Sequence, residues 1–388
     1  MTEAAKDVQS AEPAPDGTKS GRQRDFLLLW GGQTVSETGS AVTQVALPLV
    51  AVVALGASTF DVGLLTAATT VAFAVIALPA GALVDRGSKR SIMIVCDILR
   101  LLITGSVPLS AALGTLTMTQ LYVVAVAAGV CTVFFDVSYQ SYVPSLIRAE
   151  HLLDANGKLG VTQAFAQLGG PGLGGGLVAL FGAAGAMTAD AISYLASAGA
   201  ILGIRTREEP PAPRRADETL RGQIAEGLAF VVRHRILRRI VACTGTSNLF
   251  SGMGTALSMV FLIRVLHVRP ALTGLIMAGA AVGGIVGGAY AGRLARRIGS
   301  ARIIWVSMLV FSAPQVIAAA AWRGWGVLLF PLGWGIAYFA GMVYNIAQVS
   351  YRQSVTPPEL MGRMNAAVRF FSPLQHMRDV PRPDALAG

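Results

Sequence analysis

The chain has 388 residues, 53% of them hydrophobic and only 13% charged, and its 31 Lys and Arg against 21 Asp and Glu leave a formal net charge of +10. About a quarter of an average soluble sequence is charged, because a water-facing surface needs it, so a soluble globular protein is excluded. No basic patch interleaved with aromatics sits on a polar domain, which argues against nucleic acid as the reason for the charge.

Residues 1–25 are polar, include Pro13 and Pro15, and lack the apolar core of a secretory signal, so they read as a disordered cytoplasmic tail. Ten apolar stretches follow, near 26–54, 60–84, 91–113, 118–141, 159–181, 184–204, 238–263, 270–292, 301–322 and 325–349. Each holds about 20 residues or more, the length a helix needs to cross a hydrocarbon core of about 30 Å. The pattern predicts an all-α polytopic membrane protein; barrel strands would show short alternating segments instead.

The segment 205–237 is the one long polar connection, with Pro210, Pro211 and Pro213 ahead of a helical stretch from Leu220 to Arg239. Ile224, Leu228, Val231 and Val232 fall at helix spacing opposite Arg221, Arg233 and Arg235, which predicts an amphipathic helix on the inner leaflet. An ordinary connector helix is the alternative.

Lys and Arg are segregated along this map. The N-terminal tail and every second connection hold 25 of them, whereas the opposite connections hold only Arg264, Arg269 and Arg323. That bias places the N-terminus in the cytoplasm and the chain in the cell membrane, and it makes the net charge a matter of topology.

Cys96, Cys131 and Cys243 lie inside apolar stretches without ligand spacing and read as small core residues. His151, His234, His267 and His376 are scattered over connections and tail, with no nucleophile elbow or metal spacing beside them, so neither an enzyme nor a metal or other cofactor is expected. The glycine-rich run 170–176 lacks the Lys-Ser/Thr of a nucleotide-binding loop and lies in an apolar span.

A long internal repeat is present. Gly81, Leu83 and Arg86 recur as Gly292, Leu294 and Arg297, 211 residues later, and Gly63-Leu64 recurs as Gly274-Leu275. Six spans separate the copies, so the halves share one orientation and are related by an axis along the membrane normal. The first bundle covers 26–204 with six helices and the second covers 238–349 with four.

The same offset carries a polar stripe. Gln33, Glu37, Ser40 and Gln44 share one helix face on span 1, and Thr244, Asn248, Ser251 and Thr255 stand 211 residues later on span 7. The stripes read as two walls of a shared cavity or, alternatively, as polar glue between helices. At an offset of 209, Asp136 and Tyr139 on span 4 map on Asn345 and Gln348 on span 10, while Glu150 and Asn156 map on Glu359 and Asn365. Glu37 lies roughly 18 Å deep, where an ionised carboxylate is costly unless paired or hydrated. It is a candidate for proton coupling, for contact with a cationic substrate, or for a static hydrogen-bonded role. Asp97 and Arg100 are one turn apart and can pair. Asp190 lies toward the outer end of its span, where capping or packing competes with proton relay.

Gly81-x-x-x-Asp85-Arg86-x-Ser88-Lys89-Arg90 resembles the loop signature between spans 2 and 3 of the major facilitator superfamily, with Ser88 in place of the second glycine. Gly157, Ala166 and Gly170-Pro171-x-x-Gly174-Gly175 resemble the span 5 motif of the superfamily's exporters, with Ala166 replacing one glycine. Small residues there let helix backbones approach, and Gly279, Gly283 and Gly287 on span 8 offer a matching face. With Asp97-x-x-Arg100, the Val143-Pro144 to Asn156 stretch and Asp190-Ala191-Ile192-Ser193-Tyr194, the chain is similar to the drug and siderophore exporter branch over about 24–371. That branch includes macrolide-efflux and enterobactin-exporter proteins.

The resemblance implies a two-bundle fold, alternating access between the halves, and export of small hydrophobic or amphipathic molecules such as drugs, siderophores or secondary metabolites, coupled to proton entry as in an antiporter. It also implies a gating role for the loop at Gly81–Arg90, with Asp85 meeting charges and a helix terminus across the bundle.

The superfamily normally has twelve spans. Here Ala366–Phe371 gives way to 17 residues with three prolines, so 350–388 reads as a non-spanning cytoplasmic tail and the chain as C-terminally truncated. Loss of two spans would strip Asp85 of its cross-bundle partner, and a partner subunit or second copy would complete the second bundle. A non-transporting remnant or assembly partner is the alternative function.

Overall fold

The computed structural model describes residues 17–206, 208, 219–268, 270–311 and 315–371, and among these the regular elements are all helical. The first half contains α1 (Gly17–Leu55), α2 (Thr59–Arg86), α3 (Lys89–Ala112), α4 (Met118–Leu146) and α5 (Leu152–Leu202). A linker helix, α6 (Leu220–Arg233), leads to α7 (Arg235–Val260), α8 (Pro270–Ile298), α9 (Ser300–Val306), α10 (Gln315–Ala319), α11 (Leu329–Val355) and α12 (Met361–Phe371). Among the described residues, five helical runs are long and apolar enough by composition to cross a membrane: 21–55, 89–112, 118–146, 172–202 and 324–355.

The described residues of the ten expected spans are largely helical, span 9 (301–322) in the shorter pieces 300–306, 307–311 and 315–319. Two of the spans are fused in α5, which turns at Gly182, where φ of 73° and ψ of 167° fall in a region that only glycine adopts without strain. Spans 7 and 9 contain π-helical turns at Phe261–Val265 and Ser307–Phe311.

Short polar residues start the helices. Ser58 and Asp61 form a reciprocal capping box on α2, Thr117 accepts from Gln120 N at the start of α4, and Thr219 accepts from Gly222 N at the start of α6. Ser88, which stands where the superfamily has a glycine, caps α3 by accepting from Ser91 N at 3.2 Å. The substitution therefore supplies a donor's partner where glycine would supply only backbone freedom.

Within each half one long pair dominates, α1 with α5 and α8 with α11, while α5 with α8 and α2 with α12 join the halves. The Gly279, Gly283, Gly287 face does not meet span 5 as the spacing suggests. Gly283 and Gly287 lie against the backbone of α11 at Gly335 and Phe339, whereas Gly288 lies against Val161 of α5. The glycines on α8 thus serve two neighbours, and one helix face cannot satisfy both. A Cβ on Gly283 would overlap the Gly335 carbonyl group, which is backbone and cannot swing away. Gly283→Ala is expected to destabilise the second half by about 1–3 kcal/mol, read as a lowered melting temperature of the purified protein.

Two boundaries differ from expectation. Residues 350–355 are the last turns of α11, and α12 packs on α2, α4 and α6, so the part of the expected tail up to Phe371 belongs to the packed structure. The rest of that tail, 372–388, lies outside the described residues, as does 1–16 of the N-terminal one. The linker helix also turns a different face inward. Gln223, Gly227 and Val231 are buried, and α6 packs on α2, α7 and α12, where Val231 and Leu228 join Met361, Met364 and Val368. Of the expected apolar stripe only Val231 is buried, Ile224 and Leu228 are half-buried and Val232 is exposed.

Candidate functional site

A polar cleft lies where the halves meet. α1 contributes Gln33 and Glu37, α4 contributes Asp136, Tyr139 and Gln140, α5 contributes Asn156, Thr162 and Gln163, and α11 contributes Asn345. Leu159, Gly160, Ile346 and Val349 complete the walls around about 640 Å³ of space, including its open part. Gln33 Nε2 donates to Glu37 Oε1 at 2.8 Å, and Gln348 Nε2 donates to Asn345 Oδ1 at 2.9 Å from behind the wall. Glu37 is half-buried in this lining, where the Gln33 amide helps to solvate its carboxylate.

The polar stripes divide between both readings. Gln33 and Glu37 face the cleft, but Ser40 turns into the first bundle and shares a 3.0 Å hydrogen bond with Tyr194, and Gln44 is exposed. On α7, Thr244 shares a 2.8 Å hydrogen bond with Tyr344 of α11, which is interhelical glue; Asn248 is half-buried and Ser251 exposed, and the Thr255 side chain lies outside the described set. Of the described side chains, Thr244, Asn248 and Ser251 are not among the residues that line the cleft.

A second constellation is buried inside the first bundle. Arg100 pairs with Asp97, and its guanidinium lies between two rings, 4.3 Å from the centroid of Phe135 and 4.5 Å from that of Tyr194. Asp190 belongs to the same cluster, fully buried on the α5 turn that carries Ser193 and Tyr194; Ser193 Oγ donates to its backbone oxygen at 2.7 Å. Of capping and packing, the two roles that compete with proton relay at Asp190, this position inside the helix fits packing. The cluster touches the cleft wall through Phe135, which stacks on Tyr139 at 6.4 Å, and it is tied to α1 by the Tyr194–Ser40 bond.

The loop motif closes one end of the molecule. Asp85 accepts from Gly362 N at 2.7 Å and Arg363 N at 2.9 Å, the first amides of α12, with the Arg363 guanidinium 3.6 Å away. The expectation that Asp85 lacks a cross-bundle partner is therefore wrong: α12 supplies it. Gly81 makes room, since a Cβ there would overlap Ala366. Arg86 Nε donates to Gln223 of α6, Arg90 donates to the Ile201 and Leu202 carbonyls at the end of α5, and Lys89, half-buried, opens α3.

Contacts that the motifs did not announce surround this latch. Arg296 Nη1 donates to both oxygens of Asp154, at 2.8 and 3.0 Å. Asn156 Nδ2 donates to Ser350 Oγ and Gln353 Oε1, Asn365 Nδ2 donates to Ser141 Oγ, and Gln353 Nε2 donates to the Gln140 carbonyl. All of these bonds between the halves lie at the end carrying the α2–α3 turn. The repeat could have found them: 209 residues separate Ser141 from Ser350, Asn156 from Asn365 and Asp154 from Arg363, and 211 separate Asp85 from Arg296. The Asn–Ser bonds are thus one contact made twice, and Asp85–Arg363 and Arg296–Asp154 are one contact made twice with its signs exchanged.

The span 5 motif packs rather than lines. Gly170 would overlap Ala41 of α1 if it carried a Cβ, Gly174 lies against Val42 and Val45, and Gly157 lies against the Gly288 carbonyl. Gly175 faces open space, and the Pro171 side chain is outside the described set.

Comparison with known proteins agrees with this geometry. The profile of a family described as transmembrane secretion effector matches residues 20–366. The multidrug efflux pump Tap of Mycolicibacterium fortuitum is 26% identical over 356 residues, covering 87% of this chain and 83% of that protein. The MFS-type transporter YfiS of Bacillus subtilis is 26% identical over 366 residues, covering 89% and 83%. Among solved structures, an outward-facing bacterial homologue of the iron transporter ferroportin superposes with a TM-score of 0.75 at 16% identity, over 91% of this chain and 90% of that one. The E. coli fucose:proton symporter superposes with a TM-score of 0.67 at 15% identity, over 91% and 90%.

Proposed function

We propose that this chain, which belongs to the transmembrane secretion effector family of major facilitator transporters, is a proton-coupled exporter of small hydrophobic or amphipathic molecules. The observation that carries the reading is the polar cleft between two pseudo-symmetric halves that are latched together at one end. The charge bias of the sequence makes the latched end cytoplasmic, so the cleft communicates with the outside of the cell membrane. Alternating access then consists of breaking the latch and closing the opposite end around the cleft.

Two carboxylates and several amides beside Leu159, Ile346 and Val349 suit a neutral or cationic amphiphile and disfavour an anion. The name of the Tap relative supports drug efflux as the substrate class. Glu37 carries the exchanged proton, with the Asp97–Arg100–Asp190 cluster behind it setting its field. The partner of Asp85 on α12 favours the transporter reading over a non-transporting remnant.

In proteoliposomes with an imposed pH gradient, Glu37→Gln is expected to lower proton-driven efflux of a transported compound about tenfold or more while substrate exchange without a gradient persists. Equal gradient-driven rates for Glu37→Gln and wild type would remove Glu37 from the coupling role.

A further inference from the structure

The two sign-exchanged latches provide an internal comparison. They join equivalent places in the two halves, yet the Asp85 and Arg363 side chains are 2% and 10% exposed, whereas Asp154 and Arg296 are 50% and 59% exposed. Among the described elements, what covers the first and has no equivalent over the second is α6. Gly227 of α6 sits so close to α12 that a Cβ on it would come within 2.7 Å of Arg363 Cβ. Glu226 of α6 pairs with the Arg363 guanidinium, the group that also faces Asp85.

Three polar contacts close a triangle. Asp85 joins α2 to α12, Glu226 joins α12 to α6, and Arg86 joins α2 back to α6 by donating to Gln223 Oε1 at 2.8 Å. Gln223 is 3% exposed, so this bond is shielded from water. α6 is also tied to the second half: His234 ends α6 and begins α7, with its Nδ1 accepting from Leu237 N. The Arg86–Gln223 bond therefore crosses between the halves and must break when they separate.

We propose that the linker helix α6 is a clamp on the cytoplasmic gate, with Gln223 and Glu226 as positioning residues that hold the Asp85–Arg363 latch shut and dry. This rests on the alternating-access reading, but not on the identity of the substrate or of the coupling ion. The clamp makes the two latches unequal, so the exposed Asp154–Arg296 side is screened by salt and the covered side is not.

The test uses the full-length protein in lipid nanodiscs, with spin labels at the exposed positions Ser91 and Arg302, one in each half, and no substrate or pH gradient. Gln223→Ala combined with Glu226→Gln is expected to lower the population at the short, closed-gate distance at least about threefold, and to make it sensitive to ionic strength between about 0.05 and 0.5 M. Gln223→Glu, which sets a carboxylate against Arg86, is expected to raise the closed population, an effect that a misfolded variant cannot imitate. Distance distributions unchanged by both kinds of variant would reduce α6 to a connector and overturn the proposal. A shifted gate without any measurable transport would instead count against the exporter reading alone.

Discussion

Asp85→Ala is expected to open the latched end and to lower efflux about tenfold or more. The substitution leaves two buried amides, Gly362 N and Arg363 N, without an acceptor, and leaves the Arg363 guanidinium facing only Glu226. Removing one partner of a buried charged pair costs roughly 3–5 kcal/mol, and each 1.4 kcal/mol changes a two-state population about tenfold. Even a third of that cost, applied to the closed state alone, is sufficient. Asp85→Asn retains one acceptor oxygen and should fall between wild type and alanine. The readout is a pair of labels across the latched end together with efflux in cells, and a closed population equal to wild type in Asp85→Ala would refute the latch. Asp154→Ala, which removes an exposed pair, should move the same population far less.

Arg100→Ala is expected to have the largest effect on the first bundle as a folded object. Asp97 is fully buried, and Arg100 is both its ionic partner and the filling between the Phe135 and Tyr194 rings. Its loss leaves an uncompensated charge at Asp97, with Asp190 in the same cluster, at a cost of roughly 3–5 kcal/mol. The purified variant should melt roughly 5–10 °C lower than wild type. Arg100→Lys should recover only part of this, because an ammonium cannot stack its plane between two rings. A melting temperature within a degree or two of wild type would show that the cluster is not a stability element.

Much of this architecture was legible in one dimension. Span length follows from the fixed rise of a helix against a fixed bilayer thickness, so the apolar runs announced long helices, two of which are merged in α5. The repeat at 211 residues likewise announced two halves of one orientation. The cleft was half legible: Gln33, Glu37, Asp136, Tyr139 and Asn345 were singled out and meet there, whereas Gln140 and Gln163 carried no periodic signal. The stripe on span 1 broke between Glu37 and Ser40. A helix face is about as wide as the gap between two neighbours, and periodicity does not say which neighbour each side chain meets.

Ser40 and Thr244 show the same limit, since a hydroxyl that could line a cavity also satisfies a tyrosine hydroxyl from the next helix. Asp190 was read from its distance to the end of its span, yet its surroundings come from α1 and α3, which lie far away along the chain. The burial of Gln223 on α6 is another such case. The apolar stripe of α6 did not predict which face packs, because α12 and α2 meet the face that carries Gln223 and Gly227.

The amino-acid sequence by itself determined the class, the helical nature of the apolar runs, the recurrence between the two halves and the position of the loop motif, because each depends on length, hydropathy or recurrence along one chain. Tertiary structure alone decided that α12 is the helix whose first amides Asp85 meets, that the repeat-related Asp154–Arg296 pair is formed and exposed, and that α6 covers only one of the two. Those outcomes depend on which helix ends come together across the interface between the halves, and no local property of the chain encodes that distance.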